Sequence, residues 1–392
     1  MGMVPTMKWS VYQHWDPLRV CAVGRSYPPE FYSWITVPHV RELFEKIARE
    51  TEEDYQGIIQ LLEKFGVEVL RPDLPTTSLV DGCFLPPPMT PRDYTVMIGD
   101  TFYYNSEFAY QNSIKDGYND IRDTSWPNCT SEEEFKLLPE WIQQECLTVH
   151  NFKEHLLEKK YKTITAHGCY DKLVDRIKSQ GNEIKEHFNK RINGAMIARI
   201  GRDLYFGTET YTDNIAGMQT TIDQEFVNTR NHIVNTGGHS DATYCPVAPG
   251  LIISLNDVPT YADTFPGWEV VYLPGQSWDK VRPFLDLKKK NKGKWWIPGF
   301  ENDQSVIDVV ETWLGHWTGY VEETVFDVNM LIIDSKNVAV FNYNKQVFDA
   351  LEKRGITPHI VPFRHRYFWD GGIHCVTSDL HREGTMQDYF PN

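Results

Sequence analysis

Reactive side chains are concentrated in three short segments of the chain. Asp93 lies in TPRD, His239 and Asp241 lie in TGGHSDATY, and Cys375 follows His374 in GGIHCVT. A cysteine with a separate histidine is the minimum for nucleophilic catalysis, because the thiolate attacks and the imidazole moves the proton. Taken singly, a cysteine more often fills a core, and the neighbouring histidine is explained as a strand residue pointing the other way.

The spacing of the HxD segment strengthens a functional interpretation. Two positions apart on an extended chain, His239 and Asp241 project to the same face, so imidazole and carboxylate can address one ligand. Asp93 would supply a second carboxylate. Converging carboxylates are costly unless a guanidinium or similar cation lies between them. Each side chain also lies at the edge of a predicted strand, where loops held by a rigid scaffold form sites.

A unit of helix, glycine, strand and proline recurs along the chain and would form that scaffold. LLEKFGVEVLRPD at 61–73 and ALEKRGITPHIVPF at 350–363 both have this pattern, and TFPGWEVVYLPG at 264–275 repeats its second half. Glycine ends a helix in a left-handed turn, and the β-branched run that follows favours a strand.

Strand pairs occupy much of the remaining sequence and set the predicted fold class. Several of them have the pattern of hairpins with a polar turn, and their alternation with helices predicts an α/β protein built from repeated modules. No linker or shift in composition divides residues 1–392, so we predict one domain, with residues 105–190 as an insertion that carries surface helices. The predicted strands lie at 20–25, 95–104, 195–207, 250–255 and 329–342.

The composition argues against several classes of function. A net charge of −15 opposes binding to nucleic acid or to an anionic membrane, since both require clustered positive charge. The basic run at 288–294 fits a solvated loop, and no signal peptide or membrane-spanning run is recognised. Seven cysteines without CxxC spacing fit a reducing compartment and no structural zinc. We therefore expect a globular protein of the cytoplasm.

A series of segments in fixed order carries a family resemblance. In sequence they are HWDPLRVCAVGR, FGVEVLRPD, MTPRDYTVMIGD, GRDLYFG, HSDATYCPVAPGLIISLND, NMLIIDSKNVAVFN and GGIHCVTSDLHREGTMQDY. Together they resemble the arginine:glycine amidinotransferases and related amidinotransferases of the guanidine-modifying (pentein) superfamily, over nearly the whole chain. The resemblance implies a five-fold pseudosymmetric α/β propeller, the pentein fold, which agrees with the recurring unit.

The resemblance also implies roles by position. Cys375 matches the nucleophile, His239 the general acid and base, and Asp93 and Asp241 the carboxylates that hold the guanidinium. Arg92, in the same TPRD segment, joins the substrate-binding candidates. The implied reaction is ping-pong: the cysteine takes the amidino group of arginine, ornithine leaves, and an amine accepts the group. No metal or organic cofactor is expected, and a homodimer is the assembly the family suggests.

Two positions depart from the family pattern. The family's FDAA(D/N) segment, whose first aspartate orients the histidine, is matched by INGAM, so Asn193 replaces that aspartate. An asparagine can still hydrogen-bond the imidazole, and a neutral orienting residue is our favoured interpretation over a slow or inactivated enzyme. Val258 in LNDVPT stands where the family has an arginine for the substrate carboxylate, which favours a less acidic acceptor than glycine. Arg364 and Arg366 are candidates to compensate.

Three functions are therefore open to test. The leading one is transfer of the amidino group of L-arginine to glycine or another amine. The second is hydrolysis of the same intermediate by water, as in arginine deiminases. The third is a guanidinium binder with impaired catalysis, suggested by Asn193. The order of the segments favours transfer.

Overall fold

The computed structural model describes the chain in ranges separated by gaps. None of the helices in these ranges is long and apolar enough to cross a bilayer. The predicted loop at 288–294 and Val258 lie outside them. The described residues are 8–76, 78–80, 83–105, 107–110, 162–165, 168–186, 193–208, 215–234, 236, 239–255, 261–273, 297, 299–300, 302–314, 327–369 and 371–391.

Short strands dominate the described ranges, and helices connect them. The strands are β1 (Leu18–Val23), β2 (Glu68–Leu70), β3 (Leu79–Val80), β4 (Cys83–Phe84), β5 (Thr95–Ile98), β6 (Thr101–Tyr104), β7 (Glu107–Tyr110), β8 (Lys162–Thr165), β9 (Glu183–Glu186), β10 (Ile197–Ile200), β11 (Asp203–Gly207), β12 (Arg230–Val234), β13 (Tyr244–Ala248), β14 (Leu251–Ser254), β15 (Glu269–Tyr272), β16 (Leu331–Asp334), β17 (Asn337–Val340), β18 (Thr357–Ile360) and β19 (Thr377–Arg382). The α-helices are α1 (Pro38–Lys64), α2 (Asp171–Lys178), α3 (Ile215–Glu225), α4 (Tyr261–Thr264), α5 (Gln304–Trp313), α6 (Lys345–Glu352) and α7 (Arg366–Trp369).

Five three-stranded sheets share one plan. In strand order they are β19-β1-β2, β5-β6-β9, β10-β11-β12, β13-β14-β15 and β16-β17-β18. In each, the first two strands pair antiparallel, and the third lies parallel to the second after a connection that contains a helix. The connecting helices are α1, α2, α3, α4 and α6. The fold is a five-fold pseudosymmetric α/β propeller, as predicted.

The last strand completes the first module. β19 pairs antiparallel with β1, with Cys21 opposite Asp379 and Val23 opposite Thr377. One sheet therefore contains the first and the last strand of the described ranges, and the segment that carries Cys375 is fixed next to β1.

The recurring glycines end helices as the sequence predicts. Gly66 follows α1 with φ 74° and Gly355 follows α6 with φ 69°, a left-handed conformation that side chains with a Cβ rarely adopt. In both modules the returning strand begins within two residues. The N-termini are defined as well: α1 begins at Pro38, and the side chain of Asn344 accepts hydrogen bonds from the first turn of α6.

The predicted strands are present, and one expectation needs correction. The predicted strand segments at 95–104, 195–207 and 329–342 correspond to the antiparallel pairs β5 and β6, β10 and β11, and β16 and β17. The stretch 105–190 is not all insertion, because α2 and β9 complete the second module. The sequence signal was weak there because β9 reads EIKE, with two exposed glutamates and no buried residue.

The largest apolar cluster packs one face of α1 against the first and fifth sheets. Its members on α1 recur mostly at intervals of three and four residues, which gives a single buried stripe. They are Val40, Phe44, Ile47, Ala48, Tyr55, Ile58, Ile59 and Leu62. The rigid sheets beneath this helix position the segments that precede their first strands.

Candidate functional site

The candidate residues lie where the chain runs into the first strand of a module. Asp93 precedes β5, Asn193 precedes β10, His239 and Asp241 precede β13, and Cys375 precedes β19. These positions are equivalent in the repeated plan, so the propeller brings them together. The sequence could predict this convergence only once the repeat and the strand boundaries were known.

Backbone hydrogen bonds join these strand-leading segments. The N–H of Arg92 donates to the carbonyl of Cys375 at 3.4 Å, and the N–H of Gly194 donates to the carbonyl of Arg92 at 2.9 Å. The N–H of Asp241 donates to the carbonyl of Ala195 at 3.2 Å. Backbone groups alone thereby link four modules at the candidate site, and the reactive side chains take no part in these bonds.

Cys375 and Asp241 form the buried part of the site. The sulfur lies 3.5 Å from Oδ2 of Asp241, and the two residues are 1% and 7% exposed. A cation beside these two groups would be held by the carboxylate and would face the sulfur. An electrophilic carbon in such a cation would be held close to the sulfur.

His239 and Asp93 form the more open part of the site. Nδ1 of His239 lies 3.8 Å from Oδ1 of Asp93, and their side chains are 33% and 24% exposed. The separation is an ion-pair distance, longer than a hydrogen bond. Distances of this kind often shorten when substrate binds. The imidazole is therefore accessible from solvent.

His374 is a buried support for Asp241, a contact that the sequence did not predict. Its Nδ1 lies 2.8 Å from Oδ2 of Asp241. Burial lowers the pKa of His374 well below its usual value, and the positive Arg92 lowers it further. The hydrogen bond to a carboxylate opposes this shift, but burial outweighs it. The ring is therefore neutral, with Nδ1 as the donor to Asp241.

Arg92 faces the protein interior. The residue is fully buried, and its Nη1 donates to Oδ1 of Asp379 at 2.9 Å. Its Nε donates to the carbonyls of His374 at 2.7 Å and Thr377 at 2.8 Å, on either side of Cys375. These contacts brace the turn that presents the sulfur.

Asn329 is a site residue that the sequence interpretation missed. It precedes β16, the position in the fifth module that corresponds to Asp93, Asn193, Asp241 and Cys375 in the others. Its Nδ2 lies 3.0 Å from the sulfur of Cys375. The available signal was the NMLIID segment itself, because the repeat places its asparagine with the other strand-leading residues.

Comparisons with known proteins agree with this architecture. No family model matches the chain. The mitochondrial glycine amidinotransferase of Xenopus tropicalis is 23% identical over 416 positions, covering 97% of this chain and 84% of the relative. The L-arginine:L-lysine amidinotransferase of Pseudomonas savastanoi pv. phaseolicola is 21% identical over 225 positions, 56% of this chain and 52% of the relative.

Two solved structures share the fold over their full length. An amidinotransferase of the saxitoxin biosynthetic pathway from Microseira wollei has a TM-score of 0.58 at 17% identity, covering 98% of this chain and 100% of its own. The inosamine-phosphate amidinotransferase of Streptomyces griseus has a TM-score of 0.57 at 17% identity, covering 97% and 99%. The chain is therefore similar over nearly its whole length to enzymes named as amidinotransferases, and it shares the fold of two of them. The resemblance recognised in its sequence is confirmed.

Asn193, which the sequence resemblance matches to an aspartate of the amidinotransferases, holds a turn of the backbone. Its Oδ1 accepts the N–H groups of Ala195 at 2.9 Å and Met196 at 3.0 Å. The carbonyl of Met196 in turn accepts the hydroxyl of Ser240 at 2.9 Å, next to His239. An asparagine or an aspartate oxygen can accept both N–H groups, which explains how the fold retains this turn without the charge.

Arg364 and Arg366, the two arginines expected to compensate for Val258, have contacts of their own. Val258 lies outside the described residues. Arg364 binds Asp54 through its Nε at 2.9 Å and Glu53 through its Nη2 at 2.7 Å, so its charge is used on α1. The guanidinium of Arg366 lies 4.9 Å from the ring centre of Tyr367. Within the described ranges no group of three or more His, Cys, Asp or Glu side chains could hold a metal ion.

Proposed function

We propose that this chain transfers the amidino group of L-arginine to an amine acceptor through an amidino-cysteine at Cys375, with release of ornithine. The observation that carries the proposal is the approach of the Cys375 sulfur to within 3.5 Å of the Asp241 carboxylate. A nucleophile beside a buried carboxylate suits a cationic, electrophilic substrate, because the carboxylate binds the cation and orients its carbon toward the sulfur.

In the first half-reaction the Cys375 thiolate attacks the central carbon of the arginine guanidinium. Asp241 and Asp93 accept hydrogen bonds from the guanidinium N–H groups. The bond between that carbon and Nδ of the ornithine portion then breaks, and His239 gives a proton to the departing nitrogen. Ornithine leaves, and the amidino group remains bonded to the sulfur.

In the second half-reaction an amine takes the place of ornithine. Its nitrogen attacks the amidino carbon, His239 accepts the proton it loses, and the carbon–sulfur bond breaks to restore the thiolate. The one-third exposure of His239 supports this role, because the same imidazole must serve two successive amines. Arg92 acts as a positioning residue through the carbonyls on either side of Cys375.

The acceptor is proposed as a primary amine, and its identity is a question for experiment. The relatives include enzymes named for glycine, lysine and inosamine phosphate. Val258 replaces the family's carboxylate-binding arginine, and Arg364 is bonded to Asp54 and Glu53. Both observations favour an acceptor without a carboxylate next to its reacting amine.

The test follows the fate of arginine labelled in its guanidino carbon. The protein is incubated with labelled arginine alone, and then with glycine, lysine or amines that lack a carboxylate. Ornithine, citrulline, labelled guanidine products and the intact protein mass are measured. We expect an amidino mass gain on Cys375 without acceptor, and a labelled product with ornithine when the acceptor is present.

Two cysteine variants complete the design. Cys375→Ser should abolish both the adduct and turnover. Cys169→Ser, at another buried cysteine in the turn before α2, should keep both. If citrulline forms from arginine alone, the reaction is hydrolysis and the proposal of transfer is wrong. Binding of arginine without adduct or product would leave a guanidinium binder, and full turnover by Cys375→Ser would refute the assigned nucleophile.

A further inference from the structure

The side chain of Asn329 contacts both the reacting sulfur and the backbone around it. Asn329 is 1% exposed. Its Nδ2 donates to the sulfur of Cys375 at 3.0 Å and to the carbonyl of Asp241 at 3.2 Å. Its Oδ1 accepts the N–H of His374 at 2.7 Å and that of Cys375 at 3.4 Å. One carboxamide therefore holds the nucleophile, its turn and the carboxylate segment.

We propose that Asn329 is a further catalytic residue, which donates a hydrogen bond to the Cys375 sulfur and stabilises its thiolate form. This inference rests on the proposed function, because it concerns the nucleophile of that reaction. The thiolate is the form that attacks the guanidinium carbon and the form released when the amidino group leaves. The same N–H serves the sulfur in both half-reactions.

The orientation of the carboxamide is fixed by its partners. Backbone N–H groups only donate, so the atom that faces the N–H groups of His374 and Cys375 must be the amide oxygen. The NH₂ group is then the one that faces the sulfur. A sulfur that carries a full negative charge accepts such a hydrogen bond more strongly than a neutral thiol does.

The Asp241 carboxylate explains why the sulfur needs a donor. It lies 3.5 Å from the sulfur, and two negative charges at that separation repel each other before the cationic substrate arrives. A hydrogen bond to the charged form of a group favours that form. The Asn329 N–H therefore offsets the repulsion from Asp241 and keeps the nucleophile available in the empty site.

Gly372 makes this contact possible. A Cβ on Gly372 would lie 2.6 Å from the Cβ of Asn329 and would overlap its carboxamide. Any larger residue at 372 would push Asn329 away from the turn that contains Cys375. The glycine is thus explained by the approach of Asn329.

The experiment measures ionisation of Cys375 directly, so it does not depend on turnover. The ultraviolet absorbance of the thiolate is followed against pH in the intact protein, and the spectrum of Cys375→Ser is subtracted to remove the other cysteines and the tyrosines. Burial raises the pKa of Cys21, Cys169 and Cys245 to about 12, so these thiols stay protonated through neutral pH.

Asn329→Ala should move the midpoint of thiolate formation about one to two pH units higher, as expected for loss of a hydrogen bond to a charged group. Asn329→Asp keeps the acceptor oxygen for the turn but replaces the donor by a negative charge, so its midpoint should rise at least as far. Asn182→Ala is the matched control. Asn182 is also buried and bonds three backbone groups, those of Trp9 and Asp100.

The outcomes separate this inference from the proposed function. A raised midpoint in both Asn329 variants, with an unchanged midpoint in Asn182→Ala, supports the inference even if no amine acceptor is found. The acid limb of kcat/KM should then move by the same amount. An unchanged midpoint in whichever Asn329 variant folds would overturn the inference, whether or not ornithine is produced.

Discussion

The substitution Asp379→Asn tests how buried charges beneath the site hold it together. Asp379 lies in β19, is 1% exposed, and accepts hydrogen bonds from three buried arginines. Nη1 of Arg92 lies 2.9 Å from Oδ1, and Nε of Arg382 lies 2.6 Å from Oδ2. Nη2 of Arg199 lies 2.7 Å from Oδ1 and 2.9 Å from Oδ2. These residues come from the first, second and third modules.

The charges in this cluster are strongly coupled. Burial alone would raise the pKa of Asp379, but Arg199, Arg92 and Arg382 hold it well below its usual value. Burial lowers the pKa of Arg199 to about 10, although the carboxylate acts in the opposite direction. Loss of the carboxylate would leave three buried cations facing a neutral amide.

The expected loss is large compared with the stability of an ordinary domain. Breaking a buried ion pair by removal of one partner costs about 3–5 kcal/mol. Here the removed charge serves three guanidiniums, so we expect Asp379→Asn to lower the free energy of unfolding by about 4–5 kcal/mol or more. Native proteins have only about 5–15 kcal/mol in total.

The assay is urea unfolding followed by tryptophan fluorescence and circular dichroism, with Asp203→Asn as the matched control. Asp203 is also buried and accepts hydrogen bonds from Arg230 at 2.9 Å and 2.6 Å and from His232 at 2.8 Å. The side chains of these two partners are 29% and 38% exposed, so water can solvate them when the carboxylate is removed. We expect a smaller loss for the control, about 1–2 kcal/mol.

Two results would refute this reasoning. One is a loss for Asp379→Asn that is no larger than the loss for Asp203→Asn. The other concerns pH. Because the folded-state pKa of Asp379 is depressed, its contribution is complete above the unfolded value of about 4 and declines as the pH falls through the folded value. A difference between wild type and variant that already disappears between pH 7 and pH 5 would contradict the assignment.

Three further predictions concern the residues around the sulfur. Gly372→Ala should lower kcat/KM at least about tenfold and the free energy of unfolding by about 1–3 kcal/mol, because its Cβ overlaps the carboxamide that holds the sulfur. Gly371→Ala is the control, because its Cβ would meet its nearest atoms at 3.2 Å and 3.3 Å, and it should lose less activity and less stability than Gly372→Ala. Equal losses for the two variants, in steady-state kinetics and in urea unfolding, would contradict this explanation. His374→Leu should raise KM for arginine about tenfold, since Asp241 loses a donor at 2.8 Å, while His374→Asn, which can place an N–H near the same point, should recover part of it. Equal KM values for arginine in these two variants would exclude the positioning role of His374. Burial lowers the pKa of His14 well below its usual value, so the folded state keeps it neutral while the unfolded state binds a proton below about pH 6.5. His14 should therefore lower the free energy of unfolding by up to about 1.4 kcal/mol for each pH unit of acidification. In urea unfolding measured at several pH values, His14→Gln should show a smaller dependence of this free energy on pH.

The scaffold was predictable because its signals are local. Gly66 and Gly355 stop their helices through their own backbone conformation, and each is followed by a short run that pairs in parallel. The second module was less visible because its returning strand is polar and follows a long insertion. The positions of Asp93, Asp241 and Cys375 before their strands then follow from the repeat, although their chemical roles are proposals.

The supports of the site were harder to predict because they depend on distant contacts. Asn329 and Cys375 are separated by 46 positions, and Arg92 and Asp379 by 287. Arg92 and Asp93 are neighbours in a short 3-10 helix, Pro91–Asp93, and successive residues of such a helix point about 120° apart. One of them can therefore face the site while the other faces the core. Sequence order alone gave no reason to assign Arg92 to the core.

Equivalent positions of the five modules hold different residue types, and the charged and the neutral side chains have different effects in the site. The carboxylates of Asp93 and Asp241 give it affinity for a cation, whereas the amides of Asn193 and Asn329 hold turns and the sulfur without adding charge. A third carboxylate at position 329 would bind the cation more tightly but would oppose formation of the thiolate. If the proposed function is right, such a site would attract a guanidinium and still keep Cys375 nucleophilic, because a neutral donor, and not another acid, stands beside the sulfur.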